Sequence, residues 1–256
     1  MKVVTWNVNS IRTRLERALR WLEREAPDVL CLQELKCTEE QFPFESLSEA
    51  GYTSVLHGQK TYNGVAILSR SEPSDVERGF GDGVEDEQAR MISARVAGVR
   101  ILSLYVPNGS EVGSEKYAYK LEWMQRLREY LERACQPSEP LLLCGDFNVA
   151  PDDLDVAQPE NWNETVLCHS EVRAALARIL DWGLADSFRQ RHPQEVAYTW
   201  WDYRNLGFPR NEGLRIDHIL ATEPLSRRCV DVAIDRNERK GKKPSDHAPL
   251  YIILED

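Results

Sequence analysis

Four short segments set the terms for any fold this chain can adopt: Thr5-Trp6-Asn7-Val8-Asn9, Leu32-Gln33-Glu34-Leu35-Lys36, Gly145-Asp146-Phe147-Asn148 and Ser245-Asp246-His247. Most place a carboxylate or carboxamide in or just beyond an apolar, strand-like run, and together they extend over nearly the whole chain. The fold must therefore bring strand ends that are remote in sequence to one rim. Magnesium favours oxygen ligands and usually takes one or two carboxylates plus substrate phosphate. In this order, the four segments point to metal-dependent hydrolysis of a phosphate ester.

Periodicity predicts strands at Val3–Val8, Val29–Leu32, Gly64–Ser69, Met91–Val96, Ile101–Tyr105, Leu141–Cys144, Ile216–Ala221 and Leu250–Leu254. Helices are predicted at Ile11–Glu25, Lys116–Ala134 and Glu171–Trp182, the last behind a Ser170 cap. Strands and helices alternate early, while Val65–Ser69, Met91–Val96 and Ile101–Tyr105 read as an antiparallel meander. That mixture suits an α/β (mixed α+β) chain with two packed sheets and helices outside them. With 256 residues, no repeat and no Gly/Ser linker, one domain over residues 1–256 is expected.

No apolar run is long enough to span a bilayer, and the chain enters a strand pattern at once through Lys2-Val3-Val4-Thr5-Trp6. Cys31, Cys37, Cys135, Cys144, Cys168 and Cys229 show no Cys-x-x-Cys pairing and read as buried free thiols of a reducing cytoplasm. The net charge of −10, from 42 acidic against 32 basic residues, argues on its face against a nucleic-acid partner. Distribution outweighs the sum: Arg239-Lys240-Gly241-Lys242-Lys243 directly precedes Ser245-Asp246-His247, where it would guide a polyanion.

The four segments, together with Tyr62-Asn63-Gly64-Val65-Ala66, Tyr105-Val106-Pro107-Asn108-Gly109, Tyr198-Thr199-Trp200-Trp201-Asp202-Tyr203-Arg204 and Leu214-Arg215-Ile216-Asp217-His218, resemble the exonuclease III family of AP endonucleases. That family lies in the endonuclease/exonuclease/phosphatase superfamily, and the match is collinear from the first strand to the last. The resemblance implies a four-layer αββα sandwich of two mixed sheets flanked by helices. It also implies Mg²⁺-dependent cleavage of DNA 5′ to abasic sites, with 3′→5′ exonuclease, 3′-phosphatase and 3′-phosphodiesterase activities. Mn²⁺ is a possible substitute, duplex DNA with an abasic site or blocked 3′ end is the partner, and monomer is the default state.

By resemblance, Glu34 holds the metal, with Asn7, Asp246, Asp146 and Asn148 around it. Asn7 can offer either a carbonyl oxygen or an amide donor. Asp146 handles the proton of the attacking water or of the leaving oxygen, and Asn148 orients phosphate. His247 pairs with Asp217, which fixes its tautomer. Tyr105 donates its hydroxyl to a phosphate oxygen. Trp200, Leu214 and Ile216 match positions walling a pocket for a flipped-out baseless sugar, whose extrusion costs little stacking. Trp200 and its neighbour Trp201 must face opposite ways, so only one lines it. Asn108, Lys116, Lys120, Arg204 and Arg215 are candidates for phosphate contact, and His218 reads as a packed strand residue.

Two departures stand out. Trp162–His169 matches the family only weakly, and bulk from Leu167 or His169 would narrow the pocket and leave 3′-end trimming as the main activity. Glu111 places an acid where a DNA-penetrating loop would carry a base. A phosphatase of inositol or other small phosphates would share the metal and proton groups without needing the Thr199–Arg204 and Leu214–Asp217 motifs. A DNA-binding module on a decayed scaffold would have lost a ligand or the Asp–His pair, and none is missing.

Overall fold

The described residues, 1–255 of a computed structural model, contain twelve strands: β1 Lys2–Asn7, β2 Val29–Gln33, β3 Thr53–His57, β4 Val65–Ser69, β5 Ser74–Arg78, β6 Met91–Val96, β7 Val99–Tyr105, β8 Leu141–Asp146, β9 Leu184–Asp186, β10 Asp217–Thr222, β11 Cys229–Ile234 and β12 Leu250–Leu254. Asp256, the last residue of the expected domain, lies outside them. The strands form two six-stranded sheets, ordered β11-β12-β1-β2-β4-β3 and β5-β6-β7-β8-β10-β9.

Each sheet has the same pattern: one parallel pair at its centre, antiparallel neighbours outward. In the first sheet the pair is β1/β2, joined across α1 (Ile11–Glu25). In the second it is β7/β8. A parallel pair needs a long crossover, and the second uses α3 (Glu115–Ala134), numbered after the short α2 (Phe44–Glu49). Ser10 caps α1 by accepting from Thr13 N, and Ser114 caps α3 by accepting from Tyr117 N.

Between the sheets lies an apolar layer that includes Val3, Val29, Cys31, Ile67, Ile101, Leu142, Cys144 and Ile219. The outer face of the first sheet packs Trp6, Leu30 and Leu32 against Ile11, Trp21 and Leu22 of α1. That of the second packs Leu102, Leu104 and Leu143 against Trp123 and Leu127 of α3 and Val172 and Leu176 of α4 (Ser170–Leu180). The order helix, sheet, sheet, helix is the expected four-layer sandwich.

Three expectations are corrected. The meander does not exist: β4 belongs to the first sheet, while β6 and β7 form a hairpin in the second. Both faces of these strands are buried, so periodicity could not show which sheet each joined. Helix α4 begins at Ser170, and its cap is the His169 side chain, which accepts from Glu171 N. Four strands, β3, β5, β9 and β11, were not anticipated. They occupy the sheet edges, where solvent on one side dilutes the apolar signal.

Candidate active site

The two parallel pairs end at the same rim. Asn7 and Gln33 are the paired last residues of β1 and β2, and Glu34 follows at once with a left-handed backbone, φ 52°. In the second sheet Tyr105, Asp146 and Asp217 occupy one rung across β7, β8 and β10, so their side chains share a face. Gly145, one residue earlier, has no room for a side chain: a Cβ there would overlap the Leu104 carbonyl of β7. The segment Ser245–His247 leads into β12 and is pinned to β1, because Ser245 Oγ donates to Asn7 O (2.7 Å) and accepts from His247 N (3.2 Å).

At the centre, Asn7 Nδ2 donates to Glu34 Oε1 and to Asp146 Oδ2, each at 2.9 Å. His247 Nδ1 meets Asp217 Oδ2 at 2.8 Å, while its Nε2 faces Asp146 Oδ2 at 3.7 Å. Tyr105 closes the group from β7 with Arg90 stacked on its ring, 4.8 Å from the centroid. Lys36 Nζ pairs with Glu34 Oε2 at 2.8 Å and donates to Asn9 Oδ1 at 2.6 Å.

These surroundings set the protonation states. Burial, reinforced by Asp217, lifts Asp146 to about 7, although His247, the Asn148 N–H and Asn7 oppose the shift. For His247 burial acts downward, but Asp217, Asp146 and Asp246 outweigh it and raise the imidazole to about 10. Burial and the carboxylates of Glu34 and Asp146 keep the Tyr105 phenol protonated. Near neutral pH the group thus offers an imidazolium donor, a phenol donor and a carboxyl poised between its two states.

Ligand atoms of Glu34, Asp146 and His247 all lie within 4.8 Å of one another. A protonated imidazole cannot ligate, so the donor set suited to a hard divalent cation is the carboxylate pair of Glu34 and Asp146. Three other expected metal ligands are placed differently. Asn7 turns its amide, not its carbonyl, toward the carboxylates, because Oδ1 accepts from Asn9 N. Asp246 has one oxygen on Asn9 Nδ2 (2.9 Å) and the other on Trp200 Nε1 (3.1 Å). Asn148 spends Oδ1 on Asn108 Nδ2 and Nδ2 on Val106 O.

Among the DNA-contact candidates, Lys116, Arg204 and Asn108 are exposed, and Trp200 is half-buried with its ring edge-on to Trp162 at 5.9 Å, while Trp201 is buried. Four others are corrected. Lys120 is fully buried and donates to Asn108 O (3.1 Å), Asn148 O (2.7 Å) and Val166 O (2.7 Å). These three carbonyls match the three N–H bonds of an ammonium, even though burial draws its pKa down to about 7. Arg215 is equally buried, paired with Asp155 (2.7 Å) and Asp186 (2.8 Å). Leu214 and Ile216 are closed into the core rather than lining an open wall.

The two narrowing residues turn inward as well. Leu167 is in the core and His169 caps α4 while bonding Tyr117 Oη; from the same Trp162–His169 segment it is the Trp162 ring that meets Trp200. Sequence reasoning missed Asn9 and Lys36. Asn9 connects Asp246, Lys36 and Arg14, and its place within Thr5–Asn9 was the only sign of this in the sequence.

Residues 4–247 match the Endonuclease/Exonuclease/phosphatase family. The exodeoxyribonuclease III of Haemophilus influenzae is 40% identical over 263 aligned positions, which cover 98% of each chain. An AP endonuclease from Archaeoglobus fulgidus superimposes with a TM-score of 0.97 at 43% identity, and a Neisseria 3′ phosphatase bound to product DNA hairpin does so with 0.97 at 44%. Both structural matches cover the whole of each chain.

Proposed function

The chain belongs to the endonuclease/exonuclease/phosphatase family, in the branch that holds exodeoxyribonuclease III, and on that premise we propose that its rim of carboxylates, imidazole and phenol hydrolyses DNA phosphodiesters. The enzyme is a repair nuclease that acts 5′ to abasic sites and on 3′ ends, leaving a 3′-hydroxyl. The observation that carries this reading is the contact of His247 with Asp217 on one ring nitrogen and Asp146 on the other, beside Glu34.

Asp146 takes the proton of the attacking water, or returns one to the leaving oxygen. His247, kept cationic by Asp217, places its Nε2–H toward the phosphate oxygens, and Tyr105 supplies a neutral hydroxyl donor to the same group. Mg²⁺ held by Glu34 and Asp146 would neutralise the charge that develops on the phosphate. Asn7 keeps those two carboxylates at a fixed separation. Trp200, Asn108, Lys116 and Arg204 are the exposed or half-exposed groups that would meet the strand. The unpaired state of all six cysteines supports a reducing compartment such as the cytoplasm, and no helix of the described residues is long and apolar enough to cross a membrane.

The test is incision of an end-blocked duplex carrying one reduced abasic analogue, beside the same duplex with a 3′-phosphate nick, with Mg²⁺ and with chelator. Metal-dependent turnover of both substrates is expected. Turnover of neither would overturn the assignment.

A further inference from the structure

Beyond Asp146 the chain leaves β8 and turns, with Asn148 in the left-handed region at φ 49°. Residues 148–150 are buried, so their carbonyls need donors from within the protein. Each of the three successive carbonyls receives one from a basic side chain on a different element. Lys120 of α3 donates to Asn148 O (2.7 Å), His218 of β10 donates through Nε2 to Val149 O (2.9 Å), and Arg173 of α4 donates to Ala150 O (3.0 Å).

The first bond reaches the chemistry directly. Asn148 N donates to Asp146 Oδ1 at 2.9 Å, so the residue whose carbonyl Lys120 holds orients the carboxylate through its own N–H, one peptide earlier. Lys120 further binds Asn108 O, and Asn108 Nδ2 returns to Asn148 Oδ1 at 3.1 Å. The third Lys120 bond, to Val166 O, ties in the loop whose Leu167 carbonyl accepts from Ala150 N (2.9 Å).

We propose that Lys120 is a positioning residue for the reaction, which with His218 and Arg173 clamps the Asn148-Val149-Ala150 backbone and thereby sets the direction of the Asp146 carboxylate. This rests on Asp146 being the proton-transfer group. A buried lysine can also serve stability alone, and Arg126 provides the comparison: it lies on the same helix, is also buried, and pairs with Asp82 and Asp86 rather than with the Asn148–Ala150 backbone.

Lys120→Met and Arg126→Met are compared in the full chain for thermal unfolding, duplex affinity in chelator, kcat and KM on the 3′-phosphate nick, and amide exchange of residues 145–150. A misplacement of about 1 Å costs on the order of 100-fold in rate. Lys120→Met is expected to lose about that much kcat at unchanged KM and chelator affinity, with faster exchange in 145–150. Arg126→Met is expected to lose stability but retain kcat. Equal kcat losses, a loss confined to KM, or unchanged exchange in Lys120→Met would overturn the proposal. If Lys120→Met does not fold, Arg173→Met serves instead, with Asp153→Asn removing only the other partner of Arg173. A several-fold lower kcat in the former alone supports the clamp; parity refutes it. If Asp146→Asn retains turnover, the proton assignment itself fails, an outcome separate from failure of the clamp.

Discussion

Asn7 Nδ2 stands between two carboxylates that would otherwise repel each other, and His247 balances a third. This concentration of charge makes single substitutions informative. Asp146→Asn and His247→Asn should each lower kcat by about 100- to 10,000-fold, while duplex affinity measured in chelator persists; near-normal turnover in either would remove that residue from the mechanism. The stability effect of Asp146 has an unusual sign. Because its folded pKa is raised to about 7, the folded state binds the proton more tightly than the unfolded chain, and its contribution is lost as pH rises through 7. Asp146→Asn in chelator should therefore melt higher than the parent at pH 8 and show little gain near pH 4. A larger gain at the acid end would contradict this. Glu34, Asp146 and His247 were legible in sequence because their motifs tie a residue type to a reaction. Lys120 and Arg215 were not: a basic side chain reads alike whether it points into solvent or into a ring of buried carbonyls and carboxylates.

At the scale of elements, the basic loop before Ser245 divides into two kinds of residue. Arg239 is buried among Trp201, Tyr203 and Phe208 and donates to the Ser245 carbonyl, so it shapes the loop. Arg17 of α1 secures the loop from the other side through the Lys240 and Lys242 carbonyls. Lys240, Lys242 and Lys243 remain exposed. Replacing these three by Gln should flatten the dependence of log affinity on log salt by up to about 2 to 3 units, with kcat at saturating DNA unchanged. An unaltered slope would show that the loop does not reach the phosphates. Long, doubly buried strands and the two crossover helices could be read from periodicity; the assignment of β4 to a sheet could not, since pairing partners leave no mark on a strand apolar on both faces.

Over the whole molecule, two sheets with one strand pattern oppose each other, and the proposed site lies where the second strand of each parallel pair ends: Glu34 after β2, Asp146 closing β8. No sequence repeat reveals this duplication, because the two halves share strand directions rather than residues. The first sheet draws on both ends of the chain, with β12 lying between β11 and β1. A chain ending at Pro244 would leave β1 and β11 without their shared neighbour, and it is expected to lose its cooperative melt, not merely turnover. A native-like melt for that fragment would refute the dependence. Because β12 follows the other eleven strands in chain order, a ribosome that has made this sequence only as far as β11 holds a first sheet that cannot close and an Asp146 that His247 cannot meet.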